Sequence, residues 1–85
     1  MELHITSELT GRKVALIKIG ENGKACKEKV VGYEWGTPAS GTTYVLYLGK
    51  GKFLKTTPIK ELKETHNALM FRTANSLYRI EYLKR

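Results

Sequence analysis

The 85-residue sequence contains no aspartate and no glutamine, only one cysteine and only two prolines. The lone Cys26 cannot form an internal disulfide, so the fold must be stable without a covalent cross-link, as is common in a reducing compartment. No apolar run approaches the roughly 18 residues that a membrane-spanning helix requires. The N-terminal MELHITSEL lacks the basic and apolar segments of a signal peptide. We therefore expect a cytoplasmic protein that does not insert into membranes.

The residue types present also argue against a catalytic or metal site. His4, His66 and Cys26 are isolated in the sequence, and no pair of them has the spacing of metal ligands. The carboxylates are scattered glutamates, and no two of them form an evident acid–base pair. Cys26 has no evident orienting base, so a half-buried strand residue is a better interpretation than a nucleophile. The sequence predicts a non-enzymatic protein that uses no cofactor, metal or small-molecule substrate.

The chain carries an excess of positive charge. Fifteen lysines and arginines stand against eight acidic residues, which gives a formal net charge of +7. On so small a domain this charge favours an anionic partner, either nucleic acid or an acidic or nucleic-acid-binding protein. The alternative is that the charge serves solubility alone.

Most of the chain alternates apolar and polar residues with the period of two that is typical of β-strands. The pair Asn22-Gly23, the strongest short signal for a hairpin turn, separates a strand that ends at Gly20 from a second strand over 26–35. Gly32 inside this second strand indicates a bulge or a sharp bend. Further strands are predicted over 43–48, 53–57, 69–73 and 77–83, with turns over 36–41, 66–67 and 73–76.

Two segments allow a helical interpretation. Pro58 can begin a helical turn, and the sequence IKELKETH that follows has helix-forming composition. In the last segment, Leu77, Ile80 and Leu83 have the spacing of a C-terminal helix, although the abundance of Tyr and Ile favours a strand.

Five or six short strands in a single domain over residues 1–85 predict a mainly β fold with at most one short helical turn. The economical arrangement for this length is a strongly bent sheet or a small SH3-like or OB-like barrel, because closure removes exposed strand edges. Two small packed sheets are the alternative. We expect Trp35, the largest side chain, to lie in the core of this lean domain.

The stretch YVLYLGKGKFLKTTP, which begins at position 44, combines alternating glycines and lysines. It is not a phosphate-binding loop, because no register gives a Gly-Lys pair followed by Ser or Thr, and a strand rather than a long helix follows. A hairpin turn is expected instead, at either Gly49-Lys50 or Lys50-Gly51. A turn at Gly49-Lys50 would place Leu46 opposite Phe53, and a turn at Lys50-Gly51 would place Leu48 opposite Phe53.

Lysines cluster beside the predicted turns, and in a barrel these groups could converge at one rim. Tyr33 and Tyr47 are the best candidates for partly exposed rings beside such a rim, where bases stack on rings and phosphates meet lysines. The alternative is that the rings fill the core while the lysines protect strand edges. The candidate binding residues for nucleic acid or another partner are Lys24, Lys27, Lys29, Tyr33, Tyr47, Lys50, Lys52 and Lys55.

The C-terminal half reads KFLKTTPIKEL and then ALMFRTANSLYRIEYL. This pattern resembles small β-barrel accessory proteins of phages and mobile elements, in which a Thr-Pro-Ile step follows a strand and Thr-x-Asn-Ser and Tyr precede the last strand. The matching residues are Thr57, Pro58, Ile59, Thr73, Asn75, Ser76 and Tyr78. The resemblance implies a small barrel without catalytic residues, in the cytoplasm of a bacterial host. It also implies a role such as inhibition of a host nuclease or defence complex, for example as an anti-CRISPR.

Overall fold

The computed structural model describes residues 12–65 and 68–83. Within these residues seven antiparallel strands form one sheet, in the order β4-β3-β2-β1-β7-β6-β5. The strands are β1 (Lys13–Glu21), β2 (Lys24–Glu34), β3 (Val45–Gly49), β4 (Lys52–Lys55), β5 (Glu61–Glu64), β6 (Ala68–Arg72) and β7 (Ser76–Tyr82). The prediction of a mainly β fold is confirmed. The sheet has more strands than the five or six expected, and it is not closed into a barrel.

The sheet is strongly curled, because a short segment joins its two edges. β4 and β5 lie at opposite edges, yet only residues 56–60 connect them. This connection spans about 20 Å at most, whereas the edges of a flat sheet of this width would lie about 29 Å apart. Ile59 N–H donates to Thr42 O at 2.8 Å, and Lys60 N–H donates to Arg72 O of β6 at 2.7 Å. The connection therefore holds both halves of the sheet around one face.

The face enclosed by the curl, called here the inner face, contains the core. Alternation along the strands directs every second side chain inward. The buried core residues are Val14, Leu16, Tyr44, Leu46, Ile59, Phe71 and Ile80. Trp35 is not among them: it is partly exposed, and the expectation that it fills the core is wrong. The rings of Tyr44 and Phe71, whose centroids lie 5.4 Å apart, fill the core instead.

The helical interpretation of the sequence after Pro58 is also wrong, because residues 61–64 form strand β5. A segment this short cannot sustain a helix in isolation whatever its composition, so pairing with β6 decides its conformation. The C-terminal helix is excluded as well, since residues 76–82 form β7. The turn predicted at 66–67 lies outside the described residues.

The β1–β2 hairpin turns at Asn22 and Gly23, whose φ angles of 52° and 80° are those of the predicted tight turn. The β3–β4 hairpin turns at Lys50-Gly51, one of the two alternatives. A register shift between Tyr47 and Gly49 then places Tyr47 opposite Phe53. Neither predicted pairing for Phe53 occurs, because the bulge at Leu48 displaces the register by one residue.

Gly32 permits a close approach between β2 and β3. The irregularity in the β1–β2 pairing lies elsewhere, between Lys18 and Gly20 of β1. A Cβ added at position 32 would lie 2.8 Å from the carbonyl oxygen of Tyr47 and 3.0 Å from the Leu48 side chain. The nearer atom belongs to the backbone of the neighbouring strand, so it cannot move aside without loss of strand pairing.

Replacement of Gly32 by alanine is therefore expected to lower the free energy of unfolding by about 1–3 kcal/mol. Gly36→Ala is the matched control, because a Cβ at that position meets no atom within 4 Å. Urea denaturation followed by circular dichroism measures both variants. Equal stability of the two would show that the close approach at Gly32 does not restrict the side chain there.

Candidate functional site

A row of aromatic side chains crosses the outer face of the sheet. Tyr33 of β2 lies directly opposite Tyr47 of β3, and Tyr47 lies opposite Phe53 of β4. On the other side of Tyr33, Lys13 of β1 is its direct partner. One cation and three rings thus occupy consecutive strands, at the strand spacing of about 4.8 Å.

Trp35, just beyond the end of β2, completes the cluster. Its ring centroid lies 4.9 Å from that of Phe53 in an edge-on arrangement and 6.1 Å from that of Tyr47. Tyr47 and Phe53 are 5.1 Å apart. Such tilted and edge-on contacts are favourable for aromatic pairs. We call Tyr33, Trp35, Tyr47 and Phe53 the aromatic patch.

The turn between β3 and β4 helps to fix the patch. The backbone N–H of Gly51 donates to the Tyr47 hydroxyl at 3.3 Å, which ties the ring to the hairpin that also carries Phe53. Together with the ring contacts, this hydrogen bond orders the patch in the absence of any ligand. A binding surface that is ordered in advance loses less conformational entropy when it is occupied.

The patch is open to solvent. Tyr33 is 42% exposed and Phe53 is 44% exposed, and the neighbouring Val31 is 45% exposed. All the strands of residues 12–65 and 68–83 belong to this one sheet, so none of them forms a second layer over its outer face. Contiguous exposed apolar surface of this kind marks interaction sites in soluble proteins.

Positive charge surrounds the patch. The described strand residues that register places on the outer face of β1–β4 include no carboxylate. They include four lysines, namely Lys13, Lys27, Lys29 and Lys55. On the other half of the sheet, Arg79 pairs with Glu81 at 3.0 Å and Arg72 pairs with Glu61 at 3.1 Å. On this face, the lysines of β1–β4 thus lie beside the rings without a carboxylate among the described strand residues around them, whereas two arginines of the other half are paired.

The structure brings together five of the eight candidate residues from the sequence. Lys27, Lys29, Tyr33, Tyr47 and Lys55 share the outer face of β2–β4. The other three lie elsewhere: Lys24 beside the β1–β2 turn, Lys50 in the β3–β4 turn, and Lys52 opposite Gly49. Lys24 and Tyr33 stand near opposite ends of β2, about 30 Å apart along an extended strand. The lysine groups therefore do not meet at a single rim.

Three residues of the site were missed by sequence reasoning. Phe53 could have been predicted from the sequence, because it lies two residues before Lys55 in the same strand and so faces the same side of the sheet. Lys13 could not, because its position beside Tyr33 depends on the β1–β2 register. Trp35 was assigned to the core on size alone.

Behind the patch, on the inner face, lies a buried polar cluster around Glu34. This side chain is 1% exposed. Its carboxylate accepts hydrogen bonds from the Tyr44 hydroxyl at 2.9 Å and from the Tyr82 hydroxyl at 2.7 Å. The Arg12 guanidinium lies 4.8 Å from the centroid of the Tyr82 ring.

Burial, reinforced by the negative charge of Glu34, raises the pKa of Tyr44 and that of Tyr82 well above the ordinary 10.0. Both phenols therefore remain neutral hydrogen-bond donors at physiological pH. The cluster ties the end of β2 to β7 and to the segment before β3. Glu34, the acceptor at its centre, is out of contact with solvent.

A groove of about 520 Å³ lies away from the patch, between the β1–β2 turn and the β6–β7 turn, where Asn22 N–H donates to Asn75 O at 2.7 Å. Among residues 12–65 and 68–83, no group of three His, Cys, Asp or Glu side chains could hold a metal ion. The same residues include no helix long and apolar enough to span a membrane.

Comparison of the chain with family models, with curated proteins and with solved structures gave no match. The resemblance to accessory proteins of phages therefore stays a prediction. The structure does give part of that pattern a local role. Thr73 Oγ1 accepts a hydrogen bond from Ser76 N–H at 3.2 Å, which closes the β6–β7 turn, and Ile59 is buried in the core.

Proposed function

We propose that the outer face of β1–β4 binds single-stranded nucleic acid without strong sequence specificity. The observation that carries this proposal is the row of Lys13, Tyr33, Tyr47 and Phe53 on four consecutive strands. Exposed rings on a sheet surface stack against bases of any identity, and adjacent lysines neutralise the phosphates between them. The protein acts as a small basic binding module rather than an enzyme.

The chemistry of the face selects for single strands. Stacking on a side-chain ring requires an unstacked base, which a duplex does not offer. The part of the chain that the structure describes includes no helix that could enter a major groove. The described outer-face strand residues of β1–β4 also include no Arg, Asn or Gln, the side chains that read base edges by paired hydrogen bonds. Binding should therefore tolerate many sequences.

A salt titration tests the proposal. If each of the four outer-face lysines neutralises one phosphate, the logarithm of the association constant should fall with the logarithm of salt concentration with a slope of about −3. Fluorescence anisotropy of a labelled oligonucleotide measures this slope, with a duplex of the same sequence as comparison. Absence of binding at about 50 mM salt, or tighter binding of the duplex, would contradict the proposal.

Two lysine variants show which part of the surface causes the salt dependence of binding. Lys29→Ala, on the outer face beside the patch, should reduce the magnitude of the slope by about 0.7. Lys63→Ala, on β5 at the far edge of the sheet, removes the same charge and should leave the slope unchanged. Equal slopes for the two variants would indicate that net charge, rather than this face, attracts the nucleic acid.

The exposed apolar side chains of Val31 and Phe53 on this face favour a second candidate function. Apolar side chains surrounded by charged residues are typical of protein–protein interfaces. In this case the same face would bind an acidic or nucleic-acid-binding protein of a host, and the chain would act as an accessory or inhibitor protein. A pull-down with and without nuclease separates the candidates: a protein partner retained after nuclease supports the second, and loss of all bound material supports the first.

A further inference from the structure

Strand β5 forms one open edge of the sheet. Among the strands of residues 12–65 and 68–83, Glu61–Glu64 pair with β6 alone, and all four residues are exposed. An open edge presents unpaired N–H and C=O groups to which another strand can bind. The outward-facing backbone groups of the edge and the side chains of its residues determine which strand can pair with it.

The backbone pattern shows which groups face outward. Thr65 N–H donates to Ala68 O at 2.8 Å, and the β5–β6 register continues without interruption from Glu64 to Glu61. Hydrogen-bonded pairs alternate along an antiparallel ladder, so Glu61, Lys63 and Thr65 direct their backbone groups toward β6. The N–H and C=O of Leu62 and Glu64 consequently point into the open edge.

We propose that two copies of the chain pair through β5, antiparallel, about a two-fold axis at Leu62. Leu62 and its counterpart would then exchange two backbone hydrogen bonds, because both direct N–H and C=O outward. In this register Glu61 of each copy lies opposite Lys63 of the other. Lys60, just outside β5, takes no part in this ladder, because its N–H donates to Arg72 O of β6. The opposite charges that meet are therefore those of Glu61 and Lys63.

Other registers of the same edge lack this complementarity. A shift of the axis by half a residue places Glu61 opposite Glu64, and parallel pairing places each charge opposite its own copy. The other open edge, β4, carries no carboxylate, so no self-pairing register of Lys52–Lys55 gives opposite charges, and the register that pairs all four residues sets Lys52 against Lys55. Like charges directly opposite each other destabilise a strand pair. β5 is therefore the edge that recognises a second copy.

The contact is small, since it joins two short strands, so the dimer should be weak and favoured at high protein concentration. It uses β5, which carries none of the residues of the aromatic patch on β2–β4. Dimerisation and nucleic-acid binding can therefore be measured independently.

Sedimentation velocity over a concentration series to about 1 mM tests the proposal at physiological salt. The wild-type mass should rise from 9.6 kDa toward twice that value. Leu62→Pro should stay monomeric, because it removes only an outward-facing N–H and leaves the hydrogen bonds to β6 in place. A wild-type protein that stays monomeric, or that forms larger species by pairing β4 with β5 of the next copy, would overturn the proposal.

Exchange of the charges at positions 61 and 63 distinguishes specific pairing of β5 strands from a folding defect. Glu61→Lys and Lys63→Glu each place like charges opposite one another, so each variant alone should dimerise at least tenfold more weakly than the wild type. An equimolar mixture of the two restores opposite charges at both positions and should recover the dimer. Lys24→Glu, at the β1–β2 turn, makes the same charge change as Lys63→Glu and should not alter the mass. Failure of the mixture to recover the dimer would refute this register.

Discussion

Replacement of Glu34 by alanine is expected to lower the free energy of unfolding by about 3–5 kcal/mol. The carboxylate is 1% exposed and accepts hydrogen bonds from the hydroxyls of Tyr44 and Tyr82. Its removal leaves both hydroxyls without this acceptor, and each buried polar group that loses its partner costs about 1–3 kcal/mol. The loss also opens a cavity at the centre of the curl.

The effect should be large because the cluster joins distant parts of the chain. Glu34 ends β2, Tyr44 precedes β3, and Tyr82 ends β7. Glu28→Ala is the matched control: it lies on the same strand and has the inward register of Glu34, but it is exposed. Its stability should stay within about 0.5 kcal/mol of the wild type.

Urea denaturation followed by circular dichroism compares these variants. Tyr82→Phe removes one hydroxyl and retains the ring, so a smaller loss of about 1 kcal/mol is expected. If Glu34→Ala were as stable as Glu28→Ala, the buried cluster would not be what holds β2 against β7.

The second large effect is expected in binding. Tyr33→Ala should weaken binding of a single-stranded oligonucleotide by about 1–3 kcal/mol, which corresponds to about 5- to 150-fold in the dissociation constant. Tyr33 is 42% exposed and lies in register between Lys13 and Tyr47. Its ring is thus available to a base, and its removal exposes no core surface.

Two control variants show whether this loss of affinity is due to the Tyr33 ring. Tyr33→Phe retains the ring without the hydroxyl and should bind nearly as tightly as the wild type, since stacking depends on the ring face. Met70→Ala removes an apolar side chain from the outer face of β6, on the other half of the sheet, and should leave affinity unchanged. Fluorescence anisotropy at one fixed salt concentration measures all three. Equal affinity for Tyr33→Ala and Met70→Ala would show that the patch does not contact the bases.

The strands and turns were largely predictable because their signals are local. Alternation marks the residues that face inward, and Asn22-Gly23 specifies its turn by the positive φ angles that both residues adopt. β5 was missed because its composition favours a helix, while pairing with β6 is a contact that no local pattern reveals. The position of Phe53 depended on a bulge at Leu48, which the alternation of the sequence does not show.

The candidate site was predictable in its chemistry but not in its arrangement. Tyr33 and Tyr47 could be selected because they are amphipathic rings in strands rich in lysine. Their alignment with Lys13 and Phe53 requires the strand order β4-β3-β2-β1 and its registers, which are set by non-local pairing. Trp35 was placed in the core because a lean domain is expected to bury its largest side chain. Its ring instead packs against Tyr47 and Phe53 on the outer face.

The most direct test of the proposed interface is a titration of the ¹⁵N-labelled protein with an unlabelled single-stranded oligonucleotide, followed by amide chemical shifts. We expect the largest changes at Lys13, Tyr33, Tyr47 and Phe53 and at their neighbours on β1–β4, with little change on β5 and β6. Changes concentrated in the groove between the β1–β2 and β6–β7 turns, or an absence of changes at low salt, would contradict the assignment of binding to the aromatic patch.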